Sequence, residues 1–372
     1  MKKRIGIVFG GNSVEHEISI LSLIQASHAI DTSKYEVLPI YLTKEGEFWV
    51  GPEFTNLKTF QKKKIKHYQV AFYKKNGELR LKGTSFLPFK YRKPLELIIP
   101  IVHGKNVEDG SLAGFFKIFD TAYASSDILP AALFQNKHYT KKILSFDGLP
   151  VLPYLYCTIS DYKKNPDSVL EEIEKLNFPV IIKPVSLGSS IGIKVAENKE
   201  ELQRAINYAL KYEDYFIVER KLAHFREFNQ ALLERDGDYE LSAIEEVKSE
   251  NSFLTFSDKY LPSTSKHEIP ALISTKLRAE ISRISMEMAR NYCFRGVVRI
   301  DYLYDLSEKK IYVNEVNTIP GSLAYYLFEE QLSYPDLIDV LIKSAFRAKY
   351  RQDLKLNSFA SMVLSTTKLL KK

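Results

Sequence analysis

The stretch Gly296–Gly321, GVVRIDYLYDLSEKKIYVNEVNTIPG, decides how the rest of this chain is read. An apolar run around Val297–Tyr304, a polar turn at Asp305–Lys310 and a second run from Ile311 predict a β-hairpin. Side chains alternate along a strand, so Arg299 and Asp301 share a face, and so do Glu315 and Asn317. One hairpin therefore aims a guanidinium, two carboxylates and an amide oxygen in the same direction. Hard oxygen ligands beside an arginine are what Mg²⁺ on a nucleoside triphosphate needs. For this segment alone, a salt-bridged surface hairpin is the plain alternative.

Upstream, Phe178–Ala196 (FPVIIKPVSLGSSIGIKVA) supplies phosphate chemistry. A buried strand ends in Lys183, and Gly188-Ser189-Ser190-Ile191-Gly192 leads into another strand. Glycines let a backbone approach a ligand closely, and successive amides with the Ser189 and Ser190 hydroxyls cradle anionic oxygens. Lys183 then stands at the strand end as a cation for the phosphates. The spacing is not that of a Walker A loop, and a Gly/Ser hairpin turn is the alternative. At the N-terminus, the short apolar strand Arg4–Phe9 runs into Gly10-Gly11-Asn12-Ser13 and then Val14-Glu15-His16-Glu17. That opening resembles a Rossmann-type turn without its full G-x-G-x-x-G. Three ionisable side chains at a helix start suit the reading of a small charged substrate better than capping alone.

At 372 residues the chain exceeds what one core usually serves, so two or three domains are expected. Its 45% hydrophobic and 27% charged residues are those of an ordinary globular protein. No apolar run approaches the ~18 residues of a membrane span, and the stretch behind Met1–Arg4 ends at Gly10, too soon for a signal peptide. No membrane association and a cytoplasmic location are expected. Cys157 and Cys293 lie in apolar surroundings outside any metal or redox pattern and are expected to be buried. Much of the net charge of +7 comes from Lys62–Lys64, Lys74-Lys75 and the tail from Lys368. Those lysines make no single basic face, which argues against a nucleic-acid partner.

Residues 1–126 alternate apolar strands (Ile5–Phe9, Val37–Tyr41, Leu97–Val102, Thr121–Tyr123) with helical stretches, predicting a Rossmann-like parallel α/β domain. Within it, Phe48–Leu81 reads as extra antiparallel strands or a lid-like insert. A central unit over 127–221 is expected to hold helices at Asn136–Phe146, Ser168–Leu176 and Lys199–Tyr212, with Ile217–Lys221 as a hinge strand. The third unit, 222–372, carries a hairpin turn at Asp236-Gly237 and a long polar loop at Ser249–Pro270. Its helix at Thr275–Tyr292 turns Leu277, Ile281, Ile284 and Met288 inward.

Taken in order, these segments resemble the D-alanine–D-alanine ligase family of the ATP-grasp superfamily, over nearly the whole chain from Gly10 to about Leu327. The landmarks are GGNSVEHEIS at 10–19, HGKNVEDG at 103–110, KPVSLGSSIG at 183–192 and REF at 226–228. They continue with DKY at 258–260, IPAL at 269–272, RID at 299–301 and NEVNTIPG at 314–321. The resemblance implies an α/β fold in which two α+β ATP-grasp subdomains, 127–221 and 222–372, follow the N-terminal domain. It also implies the reaction. ATP phosphorylates the carboxylate of one D-alanine, and the amine of a second attacks the D-alanyl phosphate, giving D-alanyl-D-alanine for peptidoglycan precursors.

On this resemblance Asp301, Glu315 and Asn317 hold two Mg²⁺ ions, with Mn²⁺ as a substitute. Arg299 and the Gly321 N–H stabilise the acyl phosphate and the tetrahedral intermediate in the manner of an oxyanion hole. Lys137 and Lys183 meet the α- and β-phosphates and Lys259 the γ-phosphate, while Glu219 and Leu222 meet adenine and Glu227 the ribose. Glu15 holds the first D-alanine's ammonium with His103 beside it, and Ser189 and Tyr260 join Glu15 in locking a mobile loop over the closed site. A tyrosine at 260, rather than Phe or His, favours D-alanine over D-lactate as second substrate. Relatives imply a homodimer.

The chain departs from the family pattern at Val107, Ala113, Leu187 and Gln135-Asn136. A larger departure is Pro320–Tyr326, where the Ser/Leu pair that grips the second substrate's carboxylate is missing at its usual spacing. Ser322 and Leu323 are the candidates to replace it. Rival readings are a ligase for another carboxylate or second amino acid such as D-serine, a nucleotide-binding regulatory module, and, more remotely, a nucleic-acid-binding protein. The retained arginine, metal ligands and lysines speak against the regulatory module.

Overall fold

Unbroken apolar runs build the first sheet of this computed structural model, which describes residues 2–62, 65–249 and 265–356. Strands β1 (Lys3–Gly10), β2 (Tyr35–Leu42), β6 (Leu97–Val102) and β7 (Ala122–Tyr123) pair in parallel. Ile5, Ile7, Ile98 and Ile101 are buried, as strands covered on both faces require. Strands β3 (Phe48–Val50), β4 (Tyr68–Lys75) and β5 (Glu78–Gly83) continue the sheet antiparallel, in the order β5-β4-β3-β2-β1-β6-β7. Of the two readings of Phe48–Leu81, added strands is the one observed. The carboxyl ends of β1 and β6 carry Gly10–Glu15 and His103 to one edge.

A second sheet, β8 (Tyr154–Thr158), β9 (Val180–Pro184), β10 (Lys194–Ala196) and β11 (Tyr215–Arg220), is antiparallel in the order β10-β9-β11-β8. Val180, Ile182, Phe216 and Val218 form its core face, packed with Leu170, Ile173, Leu202 and Ile206 of helices Pro166–Glu174 and Lys199–Ala209. Alternation leaves Ile181, Lys183, Ile217 and Glu219 on the opposite face. Both helices end sooner than their apolar spacing predicts, at Glu174 and Ala209.

The third sheet runs β14-β13-β12-β15-β16, from β12 (Phe225–Arg235), β13 (Asp238–Ser249), β14 (Ser265–Glu268), β15 (Val297–Asp305) and β16 (Lys310–Asn317). Helix Thr275–Tyr292 covers one face, with Leu277, Ile281, Ile284 and Met288 against Val298, Ile300 and Tyr302. The turn Gly321–Leu327 and helix Tyr334–Asp353 return to the first sheet. Leu323, Leu327, Leu337 and Leu341 join its core, and Tyr35 Oη donates to Asp339 at 2.6 Å. Cys157 is buried, but Cys293 is exposed, because it ends helix Thr275–Tyr292 in the left-handed conformation (φ 52°). Among the described residues, no helix is long and apolar enough to cross a membrane. Lys259 and Tyr260 lie outside the described residues, as does most of the Ser249–Pro270 loop.

Candidate active site

The β15–β16 hairpin is the floor of the site. Its register sets Arg299 opposite Asn317 and Asp301 opposite Glu315, so all four share the face that alternation predicts. A bulge then pairs Tyr302 with Val313. Val313 and Val316 both point into the core, which leaves Asn314 and Glu315 together on the cavity side. Arg299 donates Nε–H to Asp301 Oδ1 (2.7 Å) and Nη2–H to Oδ2 (2.8 Å), and Asn317 Nδ2 donates to Oδ2 at 3.1 Å. Burial opposes the charge on Arg299, but Asp301 and the neighbouring Tyr326 and Glu245 outweigh it and hold its pKa well above the ordinary value.

Two carboxylates and one amide oxygen on a single face are a donor set for a hard divalent cation. No cluster of three His, Cys, Asp or Glu side chains stands ready for a metal among the described residues. The set here counts only Asp301 and Glu315 of those types, with Asn317 third. Asp301 spends both oxygens on Arg299, so a cation would share that carboxylate with the guanidinium. The residues fit the ion on these terms.

Between this hairpin and the second sheet lies a cavity of about 730 Å³. Leu152, Ile181, Ile193, Leu222, Phe225 and Leu303 make its apolar walls, and Lys137, Lys183, Ser190, Glu219, Glu227 and Glu315 its polar ones. Glu219 is fully buried and ion-paired to Lys183 Nζ (2.6 Å) and to Lys141 Nζ (2.5 Å). Burial raises the Glu219 pKa, but the two lysines outweigh it and bring it down to about 2. Lys137 Nζ donates to the Leu187 carbonyl at 2.5 Å. Ser189 and Ser190 adopt positive φ (52° and 60°), a backbone form that turns successive amides toward an anion.

A second cavity, about 680 Å³, opens over the Arg299, Asp301 and Asn317 part of the hairpin. Glu15 reaches its wall and accepts a hydrogen bond from Ser189 Oγ, tying the Gly/Ser loop to the N-terminal domain. Two glycines make room for that carboxylate. A Cβ at Gly188 would lie 2.7 Å from Glu15 Oε2, and one at Gly104 2.6 Å from it. His103 donates Nδ1–H to the Ile319 carbonyl (2.8 Å) and accepts from Ser22 Oγ (3.2 Å), and burial lowers its pKa, so it is a neutral wall. Glu108 accepts from the Gly104 and Ile319 amides (3.0 and 2.8 Å), yet burial with the nearby Glu15 pushes its pKa up to about 8.

At the far end Glu245, fully buried, accepts from His267 Nδ1 (2.6 Å), Asn229 Nδ2 (2.8 Å) and Tyr326 Oη (3.1 Å). A passage of about 390 Å³, walled by Glu15, Lys137, Glu315 and Asn317, joins the two cavities.

Ser322 and Leu323 do not line the second cavity. The Ser322 hydroxyl donates to Gln25 and Leu323 is buried in the core. Three consecutive left-handed residues, Ser322, Leu323 and Ala324 (φ 50°, 53° and 46°), turn the chain so that Tyr326 faces Arg299 instead. Lys141, Glu245, His267 and Tyr326 were not singled out from sequence. Only Lys141 left a usable signal, since it lies one helical turn beyond Lys137.

Family models for the D-ala D-ala ligase N-terminus and C-terminus match residues 4–126 and 143–343. A D-alanine–D-alanine ligase of Chloroherpeton thalassium is 33% identical, covering 95% of this chain and 99% of its own. One of Thermosipho africanus is 34% identical, covering 92% and 93%. Among solved structures, the VanG D-Ala:D-Ser ligase of Enterococcus faecalis matches with TM-score 0.78 at 28% identity, covering 93% of this chain and 100% of that one. The D-alanine-D-alanine ligase of Coxiella burnetii shares the fold, with TM-score 0.80 at 24% identity over 95% and 96%. With models matching both halves and relatives a third identical over nearly its full length, the chain belongs to the D-alanine–D-alanine ligase family.

Proposed function

We propose that the protein joins two D-alanines at the expense of ATP, as a cytoplasmic enzyme of peptidoglycan precursor synthesis. The observation that carries this reading is the meeting of a lysine-lined cavity and a carboxylate-lined cavity along the β15–β16 hairpin, with Glu227 on the wall of both. ATP lies in the first, with its base near Glu219 and Leu222, its ribose at Glu227 and its phosphates against Lys137, Lys183 and the Ser189-Ser190 amides. The first D-alanine presents its ammonium to Glu15 and its carboxylate to the γ-phosphate through the passage. Phosphorylation turns a poor electrophile into one with a good leaving group, and the transfer itself asks mainly for positioning and neutralised charge. The second amine then attacks the carbonyl carbon of the D-alanyl phosphate, the C–N bond forms, and phosphate departs as the C–O bond breaks. Arg299 and the Gly321 N–H hold the negative charge that develops. Asp301, Glu315 and Asn317 would hold two Mg²⁺ ions, which would supply charge screening between the β- and γ-phosphates. Lys259 and Tyr260 complete the closed site, and units 1–126, 127–221 and 222–372 and a homodimer belong to the same reading.

ADP release by purified protein with ATP and Mg²⁺ tests it, comparing D-alanine, L-alanine, D-serine and D-lactate. Turnover with D-alanine alone, yielding D-alanyl-D-alanine, is the expected result, and ATP binding without turnover would make the protein a nucleotide sensor. Tyr326 and the Glu245–His267 pair favour one second reading, D-serine as the second amino acid. The likeness to VanG, a D-Ala:D-Ser ligase, adds to it. Mixed product from D-alanine and D-serine would decide for it.

A further inference from the structure

Beneath the nucleotide cavity, Glu219 carries one negative charge that two lysines share. Lys141 Nζ lies 2.5 Å from Oε1 and Lys183 Nζ 2.6 Å from Oε2, and the Lys141 and Glu219 side chains are 1% and 0% exposed. Lys183 lines the cavity, where Asn314 Oδ1 also accepts from it at 3.4 Å. Lys141 is not on the cavity wall. It reaches Glu219 from behind, on helix Lys137–Phe146, with the Tyr154 ring 5.9 Å from its Nζ. Both contacts are close ion pairs to a fully buried carboxylate. Burying a second ammonium against a carboxylate that already has a partner is costly, and a purely structural pair would not need it.

We propose that Lys141 is a positioning residue for the nucleotide, taking up the charge of Glu219 so that Lys183 is released to the phosphates, given the ATP-dependent reading above. Facing Lys183 alone, Glu219 would hold it with a whole unit of charge in a poorly polarisable wall, and a phosphate would have to break that pair. With Lys141 present, the three groups sum to one surplus positive charge, which a phosphate oxygen at Lys183 neutralises. Once Lys183 has turned to the phosphate, Glu219 is still paired and not left buried and bare. The carboxylate therefore stays ionised and in place beside Arg220–Leu222, where the base is read.

A double-mutant cycle on nucleotide affinity tests this, using calorimetry with Mg²⁺ and a non-hydrolysable ATP analogue on the full chain. Lys141→Met weakens binding about tenfold, because Lys183 stays on Glu219. Adding Lys183→Met then costs little more, so the two losses do not add. Lys141→Arg restores most of the affinity, and KM for D-alanine at saturating ATP does not move. Additive losses, or parental affinity in a folded Lys141→Met protein, would overturn the assignment. Should Lys141→Met fail to fold, Glu219→Gln is compared with Glu219→Gln/Lys141→Met. With no charge to hold, losing Lys141 leaves affinity unchanged there, and a further tenfold loss would count against the proposal. A parent protein that binds no nucleotide overturns the ATP-dependent reading itself, a different result from either.

Discussion

The two cavities share the β15–β16 hairpin as a wall, and the same residue type behaves in opposite ways on its two sides. On the side proposed for the nucleotide, Glu219 sits between two lysines, and its pKa falls to about 2. On the other side Glu108 is buried near Glu15, with no cation acting on it among the described residues, and its pKa rises to about 8. A cavity with surplus lysine charge suits a polyanion. One ringed by Glu15, Glu108, Glu245 and Asp301 around Arg299 suits zwitterions, whose ammonium meets carboxylate and whose carboxylate meets arginine. The difference teaches that charge surplus, more than cavity size, is what distinguishes the two cavities, since their volumes are nearly equal.

The sharpest way to break this comparison is Arg299→Ala. It should lower kcat by about 10² or more while nucleotide affinity is nearly kept. A collapse of nucleotide binding with kcat intact would mean that the two sides are not separable. The pH dependence of stability comes next. The raised Glu108 pKa favours its neutral form in the fold, so its contribution is complete below about 4.5 and is lost as pH rises through about 8. Denaturant titrations should show the parent losing on the order of 5 kcal/mol across that window, with Glu108→Gln flattening the loss. Glu219 has the opposite sign, its contribution being present above about 4.5 and lost only as pH falls toward about 2. An unchanged slope in Glu108→Gln would refute the assignment.

Smaller effects sharpen the boundary. Ser189→Ala removes the hydroxyl that Glu15 accepts from, and kcat/KM for D-alanine should fall about tenfold. Nucleotide affinity, measured separately, should stay within about twofold. Tyr326→Phe removes one hydrogen bond to Glu245, so the KM of the second amino acid should rise about fivefold with the KM for ATP unmoved. An equal rise in both would place Tyr326 outside the amino-acid cavity.

Much of this was legible in the residues. Apolar runs announced the parallel strands, and 3.6-residue spacing announced helix Thr275–Tyr292 to its last residue. Period-two alternation alone places Arg299, Asp301, Glu315 and Asn317 on one face, as the strand register has them. Asn314 could not be placed that way, because a bulge interrupts the alternation at that point and nothing in NEVN marks it. Ser322 and Leu323 misled for a related reason. A left-handed run of non-glycine residues has no sequence signature, and it hands their expected place to Tyr326. Cys293 reads as a small hydrophobe, yet a helix terminus left it exposed.

The sequence by itself determined the family, the fold class and the chemical inventory, because these depend on local periodicity and on motifs whose residue types carry their own chemistry. Only the tertiary structure decided which carboxylate meets which cation. Lys141 looks like any helix lysine until β11 brings Glu219 to it, and Glu245 looks like half of an acidic pair until His267, Asn229 and Tyr326 close around it. Electrostatic roles depend on distance and burial, which arise from contacts between segments far apart in the chain.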